Sequence, residues 1–260
     1  MYRLLLVALI LVFCAPASAQ DLYINGPEQA ELTEGQTYTA AWNAGGAETV
    51  DISVCGTRTP LGTKSRGPFE IVIARGVSAV QNESSFTMPW IDSVKFALRI
   101  IGRGGAGEKV SAGEREYRFR PAVLANRADD GLYLDLHQKV NQRLYAQKDG
   151  IITRAYISSS SMKYSWKAVN VHPETPHDHA GVFSVISKSP KAHSRQYDVD
   201  MPWAMQYLSG HFIHATSPNL YSRLSRPASH GCNRLTREDA RELYDATPIG
   251  TRVEVIGPRG

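Results

Sequence analysis

Between Asp21 and Arg120 the chain alternates short runs rich in β-branched and aromatic residues with clusters of glycine and polar turn formers. The clearest runs are residues 37–42, 50–54, 69–73 and 96–100, each short enough and apolar enough on one face to predict a strand. Residues 43–46, 56–62 and 102–107 lie between them, and their glycines permit the tight reversals that such spacing needs. No long helical period interrupts the series, so the pattern predicts an all-β sandwich with Trp42 in its core. Cys55 continues the face of Asp51 and Ser53, opposite Ile52 and Val54, which places it on the less apolar side as a free, inert thiol.

The pattern then changes. Residues 121–131 carry Asn126, Asp129, Asp130 and Gly131, a turn-rich passage that predicts a domain boundary. Residues 132–136 and 151–156 read as strands, whereas 139–147 fit helix or strand equally on periodicity alone. Near the end, Thr236 with Asp239 approximates a capping box, and Ala240, Leu243 and Tyr244 fall on one helical face. Pro248, Ile249 and Gly250 end that helix, and residues 251–256 alternate into a last strand. Neither half contains an internal repeat.

Composition changes the picture at three points. A chain of 260 residues with 42% hydrophobic and 21% charged side chains carries enough apolar material for a buried core, which excludes disordered and collagen-like classes. At roughly 100–200 residues per domain, two domains are expected. The formal charge is only +4 and no dense Lys/Arg run occurs, so nucleic acid is not an expected partner. The opening residues stand apart: Arg3, an apolar run over 4–13, then Ala17-Ser18-Ala19 have the order of a secretory signal peptide. The run is about half of the ~20 residues needed to span a bilayer, so no stable membrane insertion is expected after cleavage. Lipid attachment at Cys14 is the alternative, and bulky Phe13 argues against it. The division read from the sequence is therefore a signal peptide over 1–19, a sandwich over 20–120 and a second domain over 121–260, in a protein exported across the inner membrane, to the periplasm. Cys55 and Cys232 remain after cleavage, in a compartment where disulfides persist.

The densest chemical signal is Phe212-Ile213-His214-Ala215-Thr216, followed after fourteen intervening positions from His214 by Ser229-His230-Gly231-Cys232-Asn233-Arg234-Leu235. A thiolate is a strong nucleophile, and a neighbouring imidazole can generate it, which gives Cys232 and His214 complementary roles. Gly231 permits close approach beside the sulfur, and the N–H groups of His230, Gly231 and Cys232 are candidates to face a developing oxyanion. Taken alone, one Cys and one His are more often structural. Two other accounts stay open: a metal hydrolase built on the abundant histidines, including His177 and His179, and a non-catalytic wall-binding protein in which Cys55 and Cys232 form an interdomain disulfide.

The paired motif resembles the L,D-transpeptidase catalytic domain, also called the YkuD domain, whose signature is a histidine followed at this distance by Ser/Thr-His-Gly-Cys. The resemblance covers residues 132–256. It implies a mixed, mainly β domain with short helices, Cys232 as the acylated nucleophile and His214 as its base, with no metal or organic cofactor. It further implies peptidoglycan stem peptides as substrates, with another stem or a wall-linked protein as acyl acceptor, and an L,D-carboxypeptidase outcome where water replaces the amine. Ser229 and Arg234 fall in the motif as substrate contacts, Arg234 through paired hydrogen bonds to a carboxylate. Gln142-Arg143-Leu144-Tyr145 resembles the family's opening hairpin, which favours strand for 139–147. Thr175-Pro176 with Gly181-Val182-Phe183 resembles a further segment, expanded here by residues 177–180. Trp203 and Tyr207, in the segment that walls the family's cleft, either cover an acyl chain or fill the core. The group orienting the imidazole is expected at the Ala215 carbonyl or the Thr216 hydroxyl. Ala215 and Asn233 depart from the family, which commonly has Gly or Ser after the histidine and a hydrophobic residue after the cysteine. The first half resembles immunoglobulin-like or fibronectin-like modules in architecture, through Gly35-Gln36-Thr37-Tyr38 leading into Trp42.

Overall fold

The computed structural model describes residues 22–136, 140–160 and 180–257. The leader reading with Cys14, and the calls on Lys139, Thr175, Pro176, His177, Asp178 and His179, lie outside the described residues.

Alternation of apolar and polar positions produces the first half. Strands β1 (Tyr23–Gly26), β2 (Glu31–Thr33), β3 (Thr37–Asn43), β4 (Thr49–Thr57), β5 (Pro68–Ser78), β6 (Glu83–Thr87), β7 (Lys95–Arg103) and β8 (Lys109–Arg120) form two sheets. Their orders are β1-β3-β6 and β2-β8-β7-β4-β5. Trp42, Val50, Ile52, Val54, Leu98, Ile100 and Phe119 fill the space between as one apolar core. Pairing is antiparallel except that β2 runs parallel to β8. This is the all-β sandwich that the spacing predicts. The outer face of the larger sheet is polar: Ser53 donates to Glu70 at 2.7 Å, and Arg99 bridges Glu70 and Glu114 across strands at 3.3 and 2.6 Å. Cys55 lies on that face as a free thiol, and burial raises its pKa above the ordinary thiol value, which keeps it protonated.

The second half is a mixed β domain. Its elements are β9 (Gly131–Asp135), β10 (Arg143–Lys148), β11 (Ile151–Ile157), β12 (Gly181–Ser184), β13 (Ser187–Ser194), β14 (Val199–Leu208), β15 (His211–Ala215), β16 (Asn233–Leu235), α1 (Arg237–Ala246) and β17 (Arg252–Ile256). One sheet has the order β11-β10-β9-β17-β12, the other β13-β14-β15-β16. The ambiguous stretch before residue 148 resolves as strand from Arg143, because Leu144 pairs with both Leu134 and Tyr156 and is fully buried between them. Helix α1 lays Ala240 and Leu243 against Met205, Ile213 and Ala215, so its apolar stripe backs the strand that carries His214.

The capping box is present in modified form: the Thr236 hydroxyl accepts from the Asp239 amide at 3.1 Å, and Glu238 and Asp239 place negative charge in the first turn. Replacing Thr236 with Ala is expected to cost about 0.5–2 kcal/mol, read as a lower denaturant midpoint at unchanged slope.

Candidate active site

The site is built where β15 and β16 run side by side in parallel, with His214 opposite Arg234. Side chains alternate along a strand, so Phe212 and His214 share one face of β15. Arg234 and, one residue before the strand, Cys232 fall on the matching side of β16. All four line one cavity of about 330 Å³. Its opposite wall is the β13–β14 hairpin, through His193, Ser194, Gln196, Tyr197, Val199 and Met201. Tyr197 stacks on the His230 ring at 4.7 Å between centroids, which closes the hairpin tip against the loop that carries Cys232.

His214 is buried, and its Nδ1 lies 2.8 Å from the Ala215 carbonyl. A carbonyl only accepts, so Nδ1 carries the proton and Nε2 is left with its lone pair. Burial pushes the imidazole pKa down to about 4; the Ala215 bond opposes this and the Arg234 charge adds to it. The ring is therefore neutral at pH 7, the form in which it can take a proton. Of the two orienting groups the sequence left open, the carbonyl is the one in contact.

Cys232 is half-buried and within hydrogen-bonding reach of the Gly210 carbonyl at 3.9 Å. It is not bonded to Cys55, so the interdomain disulfide that would consume the sulfur is not formed. Arg234 is held by a 2.9 Å bond from Nη1 to the Ala228 carbonyl, and its charge interacts favourably with the Cys232 sulfur in its ionised form. Desolvation lowers the guanidinium pKa from its ordinary value without threatening its charge.

Ser229 is buried and accepts from the Gly231 amide at 3.2 Å, which fixes the turn before the sulfur. The Gly231 φ of 142° lies where a side chain is strained, which explains the glycine.

Neither Trp203 nor Tyr207 is on the cavity wall: Tyr207 lies in the core, and Trp203 is partly buried against it. The Trp203 ring sits under the Arg237 guanidinium at 5.5 Å, and Tyr207 is buried and accepts from Asn233 Nδ2 at 2.8 Å. That bond satisfies the Nδ2 end of the unusual Asn233, a polar residue at a fully buried position opposite Ile213. Thr216 is buried and continues β15 by donating its amide to the Leu235 carbonyl at 2.9 Å. Sequence reasoning missed the hairpin wall; its signal was the polar turn at residues 195–198 between two alternating runs. Among the described residues no three His, Cys, Asp or Glu side chains gather into a metal-binding cluster.

Comparison with known proteins bears on this arrangement. The family model for the L,D-transpeptidase catalytic domain, YkuD, matches residues 132–255. No curated protein matches the chain. Among solved structures, an L,D-transpeptidase from Xylanimonas cellulosilytica is 29% identical, with 50% of this chain and 62% of that chain covered at a TM-score of 0.40. One from Stackebrandtia nassauensis is 22% identical, covering 52% and 61% at 0.40. One from Mycobacterium smegmatis is 16% identical, covering 91% and 99% at 0.37. The chain thus spans about three fifths of the length of the first two. Residues 132–255, which hold His214, Cys232 and Arg234 around one cavity, form an L,D-transpeptidase catalytic domain of the YkuD family.

Proposed function

We propose that the protein is a cysteine-dependent L,D-transpeptidase acting on peptidoglycan stem peptides. The observation that carries the reading is the register of β15 against β16, which sets a neutral, correctly protonated imidazole and a thiol on the same wall of an open cavity. In this mechanism His214 Nε2 takes the Cys232 proton as the sulfur attacks the carbonyl between a diamino acid and terminal D-alanine. The His230, Gly231 and Cys232 amides receive the developing oxyanion. The C–N bond breaks, D-alanine leaves with the proton from His214, and a thioester remains on Cys232. An amine from a second stem then attacks the thioester, gives its proton to His214 and regenerates the thiol. A wall-linked protein is an alternative acceptor. Arg234, without a carboxylate partner among the described residues, supplies a guanidinium for a substrate carboxylate, and Ser229 shapes the loop beside it.

The site of action follows from the substrate: outside the inner membrane, in the periplasm, with residues 1–19 as the export signal and 20–120 and 121–260 as the two mature domains. No helix among the described residues is long and apolar enough to cross a membrane. Incubation with tetrapeptide stems tests the reaction. Crosslinked dimers with release of D-alanine are expected; free tripeptide alone would convert the reading to L,D-carboxypeptidase, and unchanged tetrapeptide would refute both.

A further inference from the structure

The N-terminal sandwich reaches the nucleophile loop through one buried ion pair. Asp92, in the segment between β6 and β7, accepts from Arg143 Nε at 3.1 Å and from Nη2 at 2.9 Å. Arg143 opens β10 of the second domain, and its side chain is 2% exposed. A buried guanidinium needs both a counter-charge and acceptors for its remaining protons. Asp92 supplies the first. The Gln142 carbonyl at 2.8 Å and the Ser225 hydroxyl at 3.0 Å take protons from Nη1.

Ser225 is seven residues before Cys232 and has a φ of 78°, a conformation that a side chain adopts only when its surroundings enforce it. Three bonds do so here: the one from Arg143, one from the Gln142 amide to the Ser225 carbonyl at 3.0 Å, and one from the Ser225 amide to the Ser158 carbonyl at 2.8 Å. The loop is gripped again at Ala228 and Ser229, whose amides both donate to the Ser160 carbonyl at 2.9 Å. Ser160 is in turn fixed by the buried Gln142 side chain, through bonds of 2.8 and 2.9 Å. Gln142 and Arg143, adjacent at the start of β10, therefore hold the loop at two points, and the charge that keeps Arg143 in place comes from the other domain.

We propose that Asp92 and Arg143 are positioning residues for Cys232, acting through Ser225, so that the N-terminal sandwich is part of the scaffold of the catalytic centre. The proposal rests on the acyl-transfer reading for its effect on turnover. Its effect on the accessibility and geometry of the thiol does not depend on that reading.

The test uses the full mature chain with Asp92→Asn and Ser225→Ala, and Ile52→Val as a control that loosens the sandwich core away from the relay. Three quantities are measured: kcat and KM for D-alanine release from tetrapeptide, the rate of Cys232 alkylation by iodoacetamide followed by mass spectrometry, and Tm. Both relay variants are expected to lose about ten- to hundred-fold in kcat, with KM within about threefold, because a misplacement near 1 Å acts on reaction geometry rather than binding. Alkylation is expected to slow by a similar factor. Ile52→Val should lower Tm and leave both rates unchanged. Wild-type kcat and alkylation in both relay variants, or losses no larger than those of Ile52→Val at equal Tm, would overturn the proposal. Where Asp92→Asn does not fold, Ser225→Ala decides alone, since its backbone bonds remain. A wild-type chain that releases no D-alanine would refute acyl transfer, and the alkylation rates would still decide the relay.

Discussion

Replacing Cys232 with Ala is expected to abolish D-alanine release from tetrapeptide stems, a loss of about 10³-fold or more, because among the described residues Cys232 carries the only thiol on the cavity wall that also holds His214. The fold should survive the change. Cys232 is half-buried at the cavity surface and does not belong to the apolar core behind β15 and β16, so stability should move by no more than about 0.5 kcal/mol. Loss of activity with an unchanged denaturation midpoint would assign the sulfur to chemistry. Activity that persists in Cys232→Ala would remove it from the mechanism.

His214→Gln carries the second large effect. The side chain keeps a polar group of similar reach but loses a basic nitrogen, and removal of a general base typically costs 10²–10⁴-fold. The pH dependence gives a sharper signature. Burial holds the His214 pKa at about 4, below the ordinary histidine value near 6.5, so the acid limb of kcat/KM is expected near pH 4. The same depression links to stability. Between about pH 6.5 and 4 the unfolded chain binds a proton at this position that the folded chain rejects, so stability falls as the pH drops through that window. The contribution is fully present above about pH 6.5, and its loss amounts to about 3 kcal/mol once the pH reaches 4. His214→Gln should flatten that part of the stability profile. An acid limb near 6.5, or an unchanged profile in the variant, would place the titrating group elsewhere.

Much of the site was legible because its chemistry is carried by residue type at short range. His214-Ala215 and Asn233-Arg234 lie on two short paired strands, with the run from Ser229 to Cys232 leading directly into the second, and neighbouring strands bring same-face residues together whatever the loop between them does. The helix behind them was legible for a similar reason, since the Thr236–Asp239 cap and the Ala240/Leu243 stripe are local patterns. The predicted strands also emerged, longer at their ends than the apolar runs: residues 50–54 became Thr49–Thr57, because ladder bonds continue past the last buried side chain.

What local pattern could not give was contact across sequence distance. Trp203 and Tyr207 share strict alternation with Met201, yet only Met201 of the three lines the cavity. The backbone at Trp203 is left-handed, with φ at 50°, and consecutive Ala204 and Met205 are both buried, so alternation breaks at that point. The Tyr197–His230 stack depends on a hairpin folding over a loop more than thirty positions away, and nothing in either segment marks the other. Nothing local in the sequence pairs Asp92 with Arg143, fifty-one positions apart, and only the fold buries them together. Asn233 was visible as a departure, while its bond to the Tyr207 hydroxyl required the sheet.

The central claim is that Cys232 Sγ becomes covalently acylated. Intact-protein and peptide mass spectrometry of the mature chain, quenched in acid during turnover of tetrapeptide stems, tests it most directly. The account predicts a tripeptide acyl group on the Cys232 peptide, labile to hydroxylamine as a thioester and absent from Cys232→Ala. D-alanine release with no adduct on Cys232, or an adduct on another residue that persists in Cys232→Ala, would contradict it.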